Sequence, residues 1–257
     1  MKGNTNLAPR LVKAKGNMYP WVTHMWPCMV GCPHQCPYCY AAKMRKRWGY
    51  TFPKKPIINW KMPNFGNPGK VIFVCHTADL FAAGVPGRFV DAVLSHCRNH
   101  PEHRYVFQTK DPDNMSEWIY ELPKSCMVGT TIETDIGDYL PGNAPSTWSR
   151  STALRRFFER PDIERFVTIE PIIEFNLVGL ASMVVDCRPS FVNIGADSKG
   201  TGLREPSREK VLLLIDVLID AGIEVRRKTN LERLTSDERD LSRVVRGKSA
   251  MTSQKVK

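Results

Sequence analysis

The chain has 257 residues, enough for one large domain with its own core, and no run approaches the ~18 apolar residues of a membrane span. Its 42% hydrophobic and 25% charged residues are ordinary for a globular protein, and its first segment lacks the apolar stretch of a secretory signal, so a reducing cytoplasm and no membrane are expected. The formal charge of +11, from 37 Lys and Arg against 26 Asp and Glu, favours polyanionic partners, nucleic acid above all.

Short apolar runs alternate with amphipathic stretches along the chain. Val71–Val74 reads as a buried strand, followed by a helix over Arg88–His100, a strand over Arg104–Gln108, and a helix over Pro112–Leu122 behind an N-capping Asp111. The pattern repeats with strand Met127–Ile132, helix Thr152–Glu159, strand Phe166–Ile169 and helix Leu177–Val184. It closes with strand Phe191–Ile194, helix Ser207–Ala221 and strand Ile223–Arg226. Continuous apolar strands separated by helices pair in parallel with both sheet faces covered. About six such units with right-handed crossovers make an α/β barrel, closed or nearly so, or a doubly wound sheet.

The strand ends favour the barrel, a partial (β/α)6 type of TIM barrel. Each run ends in polar residues: His76–Asp79, Gln108–Lys110, Thr131–Glu133, Glu170-Pro171, Gly195–Asp197 and Lys228–Asn230. In α/β folds ligands bind at the carboxyl ends of the strands. The expected organisation is an N-terminal extension over 1–16, one domain over 17–235, and a basic C-terminal tail over 236–257.

Four of the eight cysteines, Cys28, Cys32, Cys36 and Cys39, fall within twelve residues, whereas Cys75, Cys97, Cys126 and Cys187 are scattered. In a reducing compartment such a cluster reads as metal binding or catalysis rather than a disulfide framework. Its core is C-x3-C-x2-C at Cys32, Cys36 and Cys39. Three thiolates in a compact loop can hold an iron–sulfur cluster while leaving one iron open. Cys28 could close the set as a fourth ligand; it is read instead as a neighbouring structural thiol. A zinc site pairing Cys36 and Cys39 with His96 and His100 is the structural alternative, although more than fifty residues separate the two pairs.

This loop, with Tyr38 just before the last cysteine and β/α units following, resembles the radical-SAM signature. More narrowly, Gly16–His24, Cys32–Tyr40, Asp79-Leu-Phe81, Thr109-Lys110, Thr168–Pro171 and Ile194-Gly195 resemble the phage-associated Gp37/Gp68 (DUF5131-type) family. The resemblance implies a radical-SAM core, a 4Fe-4S cluster on Cys32, Cys36 and Cys39, and S-adenosyl-L-methionine (SAM) cleaved to a 5′-deoxyadenosyl radical. It also implies an electron donor such as flavodoxin or ferredoxin.

The same resemblance places SAM across the strand ends. The usual Gly-Gly-Glu after the second strand is replaced by His76-Thr77-Ala78-Asp79, so Asp79 becomes the candidate for the SAM ammonium, with Thr77 beside it. Thr131 and Glu133 would serve the ribose, and Tyr38 and Gly195 complete the cofactor-binding set. Lys110, Glu170 and Asp197 are the catalytic candidates. The basic surplus, with Lys43–Arg47 directly after the cysteines, points to DNA as substrate. The reactions implied are isomerisation of an amino-acid-modified thymine in phage DNA or, alternatively, photoproduct-lyase-like repair. A peptide or small metabolite is the competing substrate class, and a metal-stabilised nucleic-acid binder the non-enzymatic one.

Overall fold

A computed structural model of the chain describes residues 11–137, 142–198 and 200–236. The first ten residues and nearly all of the expected basic tail lie outside the described residues. The chain opens with strands β1 (Val12–Lys13), β2 (His24–Trp26) and β3 (Met29–Val30), then helix α1 (Tyr40–Arg47) and strand β4 (Ile57–Ile58). Next come β5 (Val71–Val74), α2 (Gly87–Arg98), β6 (Arg104–Thr109), α3 (Pro112–Ser116), β7 (Met127–Thr131) and α4 (Thr147–Leu154). The remainder is β8 (Glu164–Ile169), α5 (Leu177–Asp186), β9 (Phe191–Ile194), α6 (Arg208–Asp220), β10 (Glu224–Arg227) and α7 (Glu232–Thr235).

Eight strands form one sheet in the order β1-β2-β5-β6-β7-β8-β9-β10. Every pairing is parallel except that of β1 with β2. The architecture is therefore mixed α/β on a mostly parallel sheet. Among the described residues the two end strands, β1 and β10, do not pair with each other, so the sheet order is open. Strands β3 and β4 make a separate antiparallel pair that carries the cysteine loop.

Strand alternation gives the two faces different jobs. Ile72, Val74, Tyr105, Phe107, Val128, Val167, Val192 and Ile194 enter the large core beneath the helices. Their neighbours Phe73, Val106, Met127, Phe166 and Phe191 face a second, smaller core closed by Tyr19 and Val22. Trp21 stacks parallel to Tyr19 at 5.1 Å and meets Phe191 edge-on at 5.4 Å, capping this floor. Gly129 must be glycine here, since a Cβ would lie 2.5 Å from the Phe166 ring. Further along β6, β7, β8 and β9 the same face turns polar, through Gln108, Thr131, Thr168 and Asn193. It ends in Lys110, Glu133, Glu170, Gly195 and Lys228.

Two helices differ from the sequence reading. The one expected over Pro112–Leu122 stops at Ser116, whose hydroxyl donates to Asp113 O at 2.6 Å and so competes with the helical ladder. The one expected over Thr152–Glu159 starts earlier, because Ser146 caps it by accepting from Ser149 N at 3.1 Å; residues 155–159 then tighten into a 3-10 turn.

Candidate active site

Cys32, Cys36 and Cys39 border one open cavity of about 580 Å³, with Gln35, Lys46 and Phe52 among the other walls. The loop that carries them is fixed by its own backbone. Gln35, in the left-handed region at φ 51°, donates its side-chain amide to Cys32 O at 2.6 Å, and Cys39 N donates to Cys36 O at 3.1 Å. Gly31, at φ 95°, lets the chain pass where a Cβ would sit 2.7 Å from Pro53 O. From the other side Asn143 clamps the loop, its backbone N donating to His34 O at 2.8 Å and its side chain to Pro33 O at 3.0 Å.

All eight cysteines are free thiols. Burial, then the charge of Asp79, pushes the Cys32 thiol up to about 12, and burial raises Cys36 as well. Lys110 and Arg150 oppose that rise at Cys36, lending it the positive surroundings a thiolate needs. Cys28 lies elsewhere: it is buried in the large core and hydrogen-bonds with the buried Cys75. His96 and His100 pack their rings on Phe65 at 4.6 and 5.2 Å, and His96 Nε2 bonds to Pro63 O at 2.9 Å.

Beside the loop sits a buried ionic network. Glu133, wholly enclosed, accepts from Lys110 Nζ at 2.9 Å and from Arg150 Nη1 at 2.8 Å. It also accepts from the Tyr38 hydroxyl, and Lys110 stands 5.2 Å over the Tyr38 ring. Burial alone would raise the Glu133 carboxyl, but Lys110 and Arg150 hold it down at about 2. Tyr38 moves the opposite way, kept protonated by burial and by the Glu133 charge. Arg150 is 2% exposed and also donates to Thr131 O at 2.8 Å and Pro145 O at 2.7 Å. One carboxylate thus faces two cations, leaving net positive charge next to Cys36.

Asp79 is bound on all sides. Its Oδ2 accepts from His34 Nε2 at 2.9 Å, Lys110 N at 2.8 Å and Thr109 Oγ1 at 3.0 Å, while Oδ1 accepts from Phe81 N at 3.1 Å. Burial would raise its carboxyl; the His34 contact and these N–H and O–H donors hold it below the ordinary range. Asp79 therefore ties the cysteine loop, through His34, to the end of β6. Thr77 donates to Met29 O at 3.2 Å, and Thr131 accepts from Gln108 at 3.0 Å.

A second cluster forms around Glu170 at the end of β8. Glu170 accepts from Lys228 Nζ at 2.7 Å, Asn230 Nδ2 at 2.8 Å and Asn17 Nδ2 at 3.2 Å. A Cβ on Gly195 would lie 2.8 Å from Glu170 Oε1 and 2.9 Å from Asn230 Oδ1. Tyr19 links this cluster to the first, donating to Gln108 Oε1 at 2.9 Å and lying 2.8 Å from Thr168 Oγ1. Asp197 is set apart, its carboxylate 2.6 Å from the Thr201 hydroxyl. The sequence candidates thus divide into a cysteine–Glu133 group, a Glu170–Gly195 group and an outlying Asp197. Arg150, His34 and Tyr19 were missed. Lys228 and Asn230 stood among the polar strand ends, the one signal that could have singled them out.

The donor set fits an iron–sulfur cluster: three thiols of one loop border one cavity beside compensating cations. Among the described residues no three His, Cys, Asp or Glu side chains converge closely enough to hold a single metal ion. A family model described as a protein of unknown function, DUF5131, matches residues 17–205. The chain belongs to the DUF5131 family. No curated protein matches this DUF5131 chain. Among solved structures it is similar to a mutant of spore photoproduct lyase, with a TM-score of 0.59 at 11% identity over 83% of this chain and 78% of that one. A second mutant of the lyase, with bound AdoMet and dinucleoside spore photoproduct, gives 0.52 at 12% over 79% of this chain and 63% of the other. The lyase complexed with dinucleoside spore photoproduct gives 0.54 at 13% over 82% and 64%. At such identities the likeness is one of fold.

Proposed function

We propose that this protein is a radical-SAM enzyme acting on a base in nucleic acid. The observation that carries the reading is the C-x3-C-x2-C loop, whose three thiols border one cavity while Cys36 lies within the charge field of Lys110 and Glu133 at the carboxyl ends of a mostly parallel sheet. Cys32, Cys36 and Cys39 would hold the cluster. Bound there, the cluster and SAM supply reductive cleavage of a sulfonium and hence a hydrogen-abstracting radical.

The chain's own residues do the rest. Lys110 and Arg150 balance negative charge at Cys36, and Glu133 fixes both cations so that they need no reorganisation. Tyr38, kept protonated, donates inward rather than carrying charge. Glu170, Lys228 and Asn230 offer a charged and hydrogen-bonding rim for a substrate or for the polar groups of SAM, while Tyr19 and Trp21 close the apolar floor against water.

The +11 charge supports a polyanionic substrate, and the fold likeness to a lyase seen with a dinucleoside spore photoproduct supports a photoproduct lesion within that class. Isomerisation of an amino-acid-modified thymine in phage DNA is the second reading, favoured by the motif resemblance. The test is anaerobic reconstitution followed by dithionite and SAM. 5′-Deoxyadenosine should form faster with a lesion-bearing or modified duplex than with unmodified DNA. Repair would return the two unmodified nucleosides of the lesion; isomerisation would keep the nucleoside's mass and change its retention. No 5′-deoxyadenosine with any substrate would refute the radical-SAM reading, and stimulation by a peptide alone would refute the nucleic-acid one.

A further inference from the structure

Resting on that reading, the enzyme must take in one electron from outside, and the surface outside the cysteine loop is strongly basic. Residues 40–61 hold seven Lys or Arg and no Asp or Glu. Lys46, Arg47, Lys54, Lys55 and Lys61 are exposed, and among the described residues none of the five has an ion-pair partner. Between them stand exposed apolar groups: Trp48 at 61%, Trp60 at 49% and Ile57 at 39%. Apolar anchors within a single-sign charged rim are the anatomy of a protein-docking surface that relies on electrostatic steering.

The patch is also wired to the loop. Cys32 N donates to Pro53 O at 3.1 Å, and the glycine at position 31 lets Pro53 O and Lys55 O approach to 2.7 and 3.0 Å of where its Cβ would be. Pairing of β3 with β4, Met29 opposite Ile58 and Val30 opposite Ile57, holds the 53–58 strip against the loop. Only one layer of backbone therefore separates Lys54 and Lys55 from Cys32. On the other flank Cys39 is the N-cap of α1, whose last turn is Arg45, Lys46 and Arg47. Lys46 and Phe52 also wall the cavity that the three cysteines border, so a partner seated on 46–61 meets the edge of that cavity.

We propose that the α1–β4 surface, centred on Arg47, Trp48, Lys54 and Lys55, is the docking site of an acidic one-electron carrier protein. On docking, the carrier loses one electron and the cluster gains one; no atom is transferred and no covalent bond forms or breaks in that step.

The test uses the full chain carrying its cluster, a flavodoxin as the acidic probe, and the variant R47E/K54E/K55E, which alters only exposed side chains. Calorimetric titration with oxidised flavodoxin, which reads binding without turnover, should give an affinity that falls with salt, and the variant should weaken it at least about tenfold. Iron content and dithionite-driven formation of 5′-deoxyadenosine, both read in the absence of DNA, should stay at the parent level, while flavodoxin-driven formation falls by about the same factor. Trp48→Ala should weaken binding without changing the salt slope. Dithionite-driven cleavage absent from the parent would sink the radical-SAM reading itself. Cleavage present, with flavodoxin binding untouched in the variant, would sink the docking site alone. Loss of DNA binding with unchanged flavodoxin binding would assign the patch to nucleic acid instead and likewise overturn it.

Discussion

Lys110 Nζ and Glu133 Oε1 meet 2.9 Å apart across the carboxyl ends of β6 and β7, and both also touch Tyr38, the residue before the last cysteine of the loop. This pair joins the sheet to the cysteine loop, and Arg150 locks it from α4. The groups are mutually dependent, because Glu133 and Arg150 are closed off from water and only Lys110 keeps partial exposure.

Removing one member should therefore cost far more than removing the set. Glu133→Gln keeps the shape but leaves Lys110 and Arg150 without their counter-charge, and breaking a buried ion pair in this way costs about 3–5 kcal/mol. Equilibrium denaturation should show that loss. The triple change of Glu133, Lys110 and Arg150 to Gln, Met and Met should recover part of it. A single variant within about 0.5 kcal/mol of the parent would mean the network carries no such energy.

The same carboxylate sets an acid limit. Glu133 is held at about 2 against an ordinary 4.5. A depressed carboxyl contributes stability that is fully present above about pH 4.5 and is lost as pH falls towards 2. At ~1.4 kcal/mol per unit this contribution is roughly 3 kcal/mol. Stability measured from pH 6 down to pH 2.5 should fall along this window in the parent, and the Glu133→Gln curve should be flatter. Parallel curves would show that other carboxylates dominate.

Gly195 is a steric test of the Glu170 cluster. An alanine methyl would sit 2.8 Å from Glu170 Oε1 and 2.9 Å from Asn230 Oδ1, so the carboxylate must move away from Lys228. Gly195→Ala should destabilise by about 1–3 kcal/mol, as overpacking does, and should weaken SAM or substrate binding while iron content stays constant. Unchanged binding would confine the cluster to a structural role.

What the sequence made legible follows from how local each signal was. Val71–Val74 and Phe191–Ile194 form strands over the very residues expected, because continuous apolar runs mark strands buried on both faces. β2 escaped because only three residues, His24–Trp26, pair in it before Pro27 ends the run. α1 escaped because Lys43 to Arg47 give it no apolar stripe. Arg150 could not be read as a site residue: its partner Glu133 lies 17 positions away, and only the packing of α4 on β7 buries them together. Asp79 was legible as a strand-end carboxylate but not as one already filled by His34, since that contact spans 45 residues.

That filled carboxylate separates two roles for Asp79. If it positions the cysteine loop, Asp79→Ala removes four acceptor contacts and frees His34. Iron should then be lost to a chelator more readily, and outer-partner changes of this kind cost about 10- to 100-fold in metal affinity. Cys28→Ala provides the control, because Cys28 is buried beside Cys75 rather than on the cavity; it should cost about 1 kcal/mol in packing and leave iron content intact. Cys32→Ala, Cys36→Ala and Cys39→Ala should each abolish cluster binding. Iron per chain after anaerobic reconstitution, and its decay under chelator, distinguish these outcomes without any turnover assay. An Asp79→Ala protein that keeps its iron at the parent rate but binds SAM more weakly would place the carboxylate on the SAM ammonium instead. A Cys28→Ala protein without iron would make the cluster four-coordinate in protein thiolates and close the position that SAM needs.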